Sequence, residues 1–119
     1  MRLRNKYRAQ KTVVDGITFD SKGEAALYQE LLLRKQSGEF TAIRCHVPFK
    51  LFGHDGSVVC KHVVDFLCET RGDPVVIEHK GVSTAVFKLK KKLFELSYPH
   101  IKYIVHKQRS WQKRRRKAA

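Results

Sequence analysis

Two short β-prone runs, Val75 to Lys80 and Ile101 to Val105, flank a stretch whose apolar residues Val86, Phe87, Leu89, Leu93, Phe94 and Leu96 recur at helical spacing. This order constrains the fold more than any other feature, because a helix between two strands permits the parallel crossover that a tight turn cannot make. Upstream, Val47 to Phe52 and Val58 to Cys68 read as strands joined by the loop Gly53-His54-Asp55-Gly56-Ser57. Pro48 assigns the first of them to an edge or a strand start, since it donates no ladder hydrogen bond. The turn Arg71-Gly72-Asp73-Pro74 leads into Val75 to Lys80, and Gly81 ends that strand. Ser83 or Thr84 caps the second helix, in which Phe87, Leu89, Leu93 and Phe94 read as the buried side, and Pro99 breaks it.

At the start of the chain, Thr12 to Phe19 reads as a hairpin closed by Asp15-Gly16, a pair suited to a type I′ turn. A helix over about residues 21–36 follows, with Ser21 as N-cap, an apolar stripe of Ala25, Leu27, Tyr28, Leu31 and Leu32, and Ser37-Gly38 as its stop. The order hairpin, helix, three strands, helix, strand predicts an α/β fold with a small mixed β-sheet flanked by helices.

The charge is unevenly placed. Lys and Arg number 25 against 11 Asp and Glu, a formal net charge of +14 in 119 residues. Arg2, Arg4, Lys6, Arg8 and Lys11 stand in the first eleven residues without an acid, and Lys107, Arg109, Lys113, Arg114, Arg115, Arg116 and Lys117 stand in the last thirteen, again without one. The two ends thus carry 12 of the 14 net charges, and residues 12–106 are nearly balanced at +2. We read one domain over 12–106 between basic arms at 1–11 and 107–119. Such arms suit a polyanion, DNA being the expected partner, with Tyr7 and Trp111 available to stack or to pin the arms to the core; a solubilising tail is the plainer alternative. No apolar run approaches a membrane span, and the three scattered cysteines, Cys45, Cys60 and Cys68, read as reduced thiols, so neither secretion nor membrane insertion is expected.

Residues with chemistry gather on two strands. Glu78 and Lys80 alternate with His79, so they project from one face of their strand. On the preceding strand Val63, Asp65 and Leu67 are expected to share a face, and a hairpin between the strands sets Asp65 beside Glu78. Two converging carboxylates repel unless a cation sits between them, and such oxygen donors suit Mg²⁺ or Mn²⁺. Lys80 would then orient a water or stabilise charge on a phosphate. An exposed Glu78–Lys80 ion pair of little consequence is the other reading. His54, Cys60 and His62 lie close together but lack the ligand-pair spacing of a zinc site.

Glu24, Asp65, Glu78 and Lys80 together, an acid on a first helix, an Asp on a core strand and a Glu-x-Lys pair on the next, resemble the PD-(D/E)XK nuclease superfamily. Lys6-Tyr7-Arg8, the run from Val13 to Ala25, Val64-Asp65-Phe66, Lys80-Gly81 and Phe87-Lys88-Leu89-Lys90 are similar to a small, mostly phage-encoded family within it. Val64 stands where that superfamily often has proline. The resemblance implies a restriction-endonuclease-like core and a divalent-metal-dependent DNA endonuclease related in layout to enzymes that resolve branched, Holliday-type DNA. It further implies Asp65 and Glu78 on one or two ions, Glu24 completing or water-bridging the coordination, a homodimer, and residence in the cytoplasm, that of a bacterial host if the gene is phage-borne.

Two residue sets keep a second reading. Glu24 is also the third residue of a capping box with Ser21. Lys88, Lys90, Lys91 and Lys92 form either a solvated helix face or a contact to the DNA backbone, and the latter is our expectation for Lys88, Lys91 and Lys92. The rival for the whole chain is a noncatalytic basic nucleic-acid-binding protein of ribosomal or architectural type, which would gain nothing from an acid cluster in a near-neutral core.

Overall fold

The computed structural model describes residues 10–81 and 83–107. Strands β1 (Thr12–Val14) and β2 (Ile17–Phe19) form the first hairpin, with Asp15 at φ 54° and Gly16 at φ 76°. Both angles lie in the left-handed region that the type I′ turn requires. Helix α1 (Lys22–Gln36) starts at Ser21, whose hydroxyl accepts a hydrogen bond from the Glu24 backbone N–H at 3.1 Å, and ends at Ser37-Gly38, with Gly38 at φ 93°.

Strands β3 (Ala42–Phe52), β4 (Val58–Glu69) and β5 (Val75–Lys80), helix α2 (Ala85–Ser97) and strand β6 (Lys102–Lys107) complete the order. The second sheet runs β3-β4-β5-β6, antiparallel except for the parallel β5–β6 pair that α2 connects. The result is a small mixed α/β fold, with a four-stranded mixed sheet, a two-stranded sheet and two helices. Pro48 lies in the edge strand, where a missing N–H costs no ladder bond. The strand expected from Val47 begins at Ala42 instead: Arg44, which interrupts the apolar pattern, is exposed opposite Leu67 and lies 4.0 Å from Glu69.

The helices cover opposite faces of the larger sheet. Ala25, Leu27, Tyr28 and Leu31 of α1 pack with Phe19, Phe66, Cys68 and Ile77, while Phe87 and Phe94 of α2 pack with Leu51, Val64, Leu67, Val76 and Tyr103. Thr84 caps α2 by accepting from the Phe87 N–H. The expectation that Leu89 is buried fails. Leu89 is 70% exposed, because the buried stripe runs through Phe87, Phe94 and the adjoining Tyr98, with Leu93 only partly covered. All three cysteines are free thiols, and Cys68 is fully buried. No described helix is long and apolar enough to cross a membrane. Of the expected arms, only Gln10, Lys11 and Lys107 are described; Arg2, Arg4, Lys6, Tyr7, Arg8, Arg109, Trp111, Lys113, Arg114, Arg115, Arg116 and Lys117 lie outside the described residues.

Candidate active site

Strands β4 and β5 are paired at Phe66↔Ile77, Leu67↔Val76 and Cys68↔Val75, and beyond Phe66 they part. The earlier half of β4 continues with β3, and the later half of β5 continues with β6. At this fork two carboxylates stand where ladder bonds would otherwise be. Asp65 Oδ2 accepts a hydrogen bond from the His79 N–H at 2.8 Å, and Glu78 Oε2 accepts a longer one from the Asp65 N–H at 3.4 Å. The sequence expectation that the β4–β5 hairpin sets Asp65 beside Glu78 therefore matches the geometry, and the backbone of each strand holds the acid of the other.

The expectation that Val63, Asp65 and Leu67 share a face does not hold. Residues two apart on a strand normally face the same way, yet Val64 packs with the α2 cluster and Phe66 with the α1 cluster. Cys45 and Val47 of β3 divide in the same manner. Both switches fall at one point, because the pairs Cys45↔Phe66 and Val47↔Val64 bracket His46 and Asp65, and His46 has φ 54°. A left-handed residue turns the strand over, so Val63 is exposed while Leu67 is buried beside Val64. No glycine or asparagine marks the position in the sequence, which is why period-2 counting missed it.

His46 also reaches α1. Its Nε2 lies 2.7 Å from Glu24 Oε1, so the Glu24 carboxylate, on a residue only 4% exposed, is engaged by a strand of the sheet. The cap at Ser21 forms through the Glu24 backbone N–H. On the other face a buried chain steadies Glu78, which is 3% exposed: the Tyr103 hydroxyl donates to Glu78 Oε2 at 2.9 Å, and His62 Nε2 lies 2.8 Å from that hydroxyl. Burial, with the Lys90 and Lys80 charges, lowers the His62 pKa to about 4, so the ring is neutral at pH 7. Since the Tyr103 proton goes to Glu78, His62 Nε2–H is the donor to Tyr103.

At the fork the charges of Glu24 and Lys80 act on Asp65 and Glu78. Burial first, then the Glu78 and Glu24 charges, raise the Asp65 pKa to about 7. Glu78 is likewise raised by burial, against the opposing effects of the Tyr103 hydrogen bond and the Lys80 charge. Lys80 lowers both carboxylates, and its Nζ sits 4.3 Å from the centroid of the Phe87 ring. That aromatic face gives the ammonium a fixed seat, so Phe87 is a core residue with a second role that its apolar spacing did not announce. Glu78 and Lys80 thus both address the α2 side, as alternation on the strand predicts. His46, Tyr103 and His62 are the site residues that sequence reasoning missed, for each is linked to its acid across a long stretch of chain.

Of the basic candidates on α2, Lys88 and Lys92 are exposed, whereas Lys91 is paired with Glu95 at 3.0 Å and lies over the Tyr103 ring. Lys11 is exposed beside the first hairpin. Among the described residues, no group of three or more His, Cys, Asp or Glu side chains is arranged so that it could hold a metal ion. The donors at the fork nevertheless fit Mg²⁺ or Mn²⁺ chemically, because such ions are commonly held by one or two carboxylates and complete their shell with water and substrate phosphate. Raised carboxylate pKa values express the same need for a positive neighbour.

Residues 4–113 match the family described as a protein of unknown function (DUF1064). No curated protein and no solved structure matches the chain.

Proposed function

This chain belongs to the DUF1064 family, and from its site we propose that it is a divalent-metal-dependent DNA endonuclease of the PD-(D/E)XK kind. The observation that carries the reading is the β4–β5 fork, where Asp65 and Glu78 are held by each other's backbones with Glu24 and Lys80 within electrostatic reach. A simple Glu78–Lys80 ion pair would not account for two further acids, Asp65 and Glu24, whose charges or backbone bonds meet at the same place. Asp65 and Glu78 would hold Mg²⁺ or Mn²⁺, with Glu24 ligating directly or through water. A bound ion there supplies a water of lowered pKa and neutralises phosphate charge.

The protein's own groups do the remaining work. The His79 N–H fixes Asp65, and the His62–Tyr103 chain fixes Glu78, so neither acid must reorganise when substrate arrives. His46 holds Glu24 toward the sheet. Lys80, seated on Phe87, places a positive charge beside the acids, where it orients the attacking water or offsets charge developing on the phosphate. One fork cuts one strand, so paired incision in branched DNA calls for a homodimer, and the cytoplasm is the compartment in which such a substrate is met.

The test offers four-way junction, flap, duplex and single-stranded DNA side by side to the purified protein with Mg²⁺ or Mn²⁺. Cleavage is expected, lost on chelation and lost in Asp65→Ala, Glu78→Ala and Lys80→Ala proteins that still fold and bind DNA. Near wild-type cutting by Asp65→Ala or Glu78→Ala would falsify the site, and DNA binding without any cutting by the wild type would favour the noncatalytic alternative.

A further inference from the structure

Beyond the fork, β3 and β4 continue as a two-stranded ribbon with two unlike faces. Val47, Phe49 and Leu51 of β3 and Cys60, His62 and Val64 of β4 turn toward α2. The alternate residues, Pro48 and Lys50 on β3 with Val59, Lys61 and Val63 on β4, are exposed on the other side. Helix α1 does not cover them, for its cluster reaches only Cys45 and Phe66 and stops where His46 and Asp65 turn the strands over. Val59 is 58% exposed and Val63 54%.

Lys50 and Lys61 are directly opposed across this face. Like charges in that position destabilise a strand pair, and neither ammonium meets a carboxylate among the described residues. The only acid between His46 and Val64 is Asp55, at the ribbon's tip, where its carboxylate accepts from the Ser57 N–H and hydroxyl. The face is therefore positive, partly apolar and uncompensated, and its base is the pair His46 and Asp65.

We infer that the outer face of the β3–β4 ribbon is a docking surface for duplex DNA, with Lys50 and Lys61 on phosphates and the ribbon leading the DNA backbone to the fork. A two-stranded ribbon has the width that the major groove admits, and Val59 and Val63 suit the apolar sugar and thymine-methyl surfaces met there. A second copy of the chain fits poorly, since an isologous contact between two such faces would gather four lysines, two from each copy, in one interface with no acid on either face to pair them. The inference takes from the proposed function that the substrate is DNA.

The experiment measures binding of a labelled duplex by fluorescence anisotropy over a range of salt, with EDTA present so that nothing is cut, and melts the same proteins. Lys50→Ala/Lys61→Ala is expected to bind at least about tenfold more weakly, with the log K against log salt slope shallower by roughly 1.8, two phosphates at about 0.9 each. Lys50→Glu is the sharper variant. It replaces a repulsive cross-strand pair by an attractive one, so its melting temperature should rise while its DNA affinity falls further. Unchanged affinity and slope in both variants would overturn the inference, as would a wild-type dimer that Val63→Asp dissociates without touching DNA affinity. A wild-type protein that binds DNA but never cuts it, and whose binding fails in the lysine variants, supports the docking surface while removing the nuclease reading. Retained Mn²⁺ binding by the lysine variants, measured calorimetrically, is expected because both residues lie outside the fork.

Discussion

Asp65 sets an opposition between stability and readiness for a metal. Burial beside Glu78 and Glu24 raises its pKa to about 7, so between roughly pH 4 and pH 7 the folded protein holds a proton that the unfolded chain has released. Its stabilising contribution is present below the unfolded value and is lost as pH rises through about 7. His62 works the other way: with a folded pKa of about 4, it favours the folded state above its unfolded value near 6.5, and that contribution is lost as pH falls through 4. The two trends oppose one another up to about pH 6.5, and above it the carboxylate trend stands alone. Asp65→Asn, which keeps an oxygen for the His79 N–H, should therefore melt about 5 °C or more above the wild type at pH 8 in EDTA. The gap should close toward pH 4, and Mg²⁺ should raise the wild-type melting temperature at pH 8 but not that of the variant. A difference that stays constant with pH would show that Asp65 carries no strained charge.

Among the elements, α1 combines a cap and an acid at one residue. Ser21 accepts from the backbone of Glu24, while the Glu24 side chain turns to His46 on β3. The two roles use different atoms and are separable. Glu24→Gln leaves the backbone cap intact and retains a side chain able to bond His46, so the helix should lose well under the roughly 1 kcal/mol that removal of a cap costs. It does remove a negative charge from the group around the fork. Mg²⁺-dependent cleavage should fall by tenfold or more, with a weaker apparent Mg²⁺ affinity, which a metal titration of cleavage beside a thermal melt checks. Full activity in the stable Gln variant would reduce the site to Asp65, Glu78 and Lys80. Helix α2 is organised in a parallel way, for its Phe87 both fills the core and seats Lys80, while Val86, Leu89 and Leu96 stay exposed along its other side.

Across the whole molecule, charge divides between the two ends and a nearly neutral domain that holds all 11 acids. Removing residues 1–8 and 108–119 takes away ten positive charges, counted as four in the first segment and six in the second. If those ends neutralise phosphates, the shortened protein should bind DNA more weakly and with a flatter salt dependence, while its two described clusters, whose members lie within residues 14–105, should still melt cooperatively. An unchanged slope would put the phosphate contacts on the domain itself, at Lys50 and Lys61 of the ribbon and at Lys88 and Lys92 of α2.

Local chemistry was legible in the sequence wherever a few neighbouring residues decide the outcome. Asp15-Gly16 specifies the first turn, and Ser21 and the Ser83-Thr84 pair specify two helix starts, because each rests on interactions spanning a handful of residues, while Pro48 allows only an edge or a strand start and a helix between two β-prone runs permits the parallel pair through chain connectivity. The Asp65 and Glu78 pairing was also within reach, since a short hairpin joins their strands. Tertiary structure alone decided the rest. His46 takes a left-handed conformation that no local residue pattern demands, and with it both strands turn over, so counting by twos fails beyond that point. Glu24 finds His46 at 22 residues' separation, Tyr103 finds Glu78 at 25 and His62 finds Tyr103 at 41. Contacts at such distances arise only after the sheet order has formed, and the sequence carries no period or spacing that could mark them in advance.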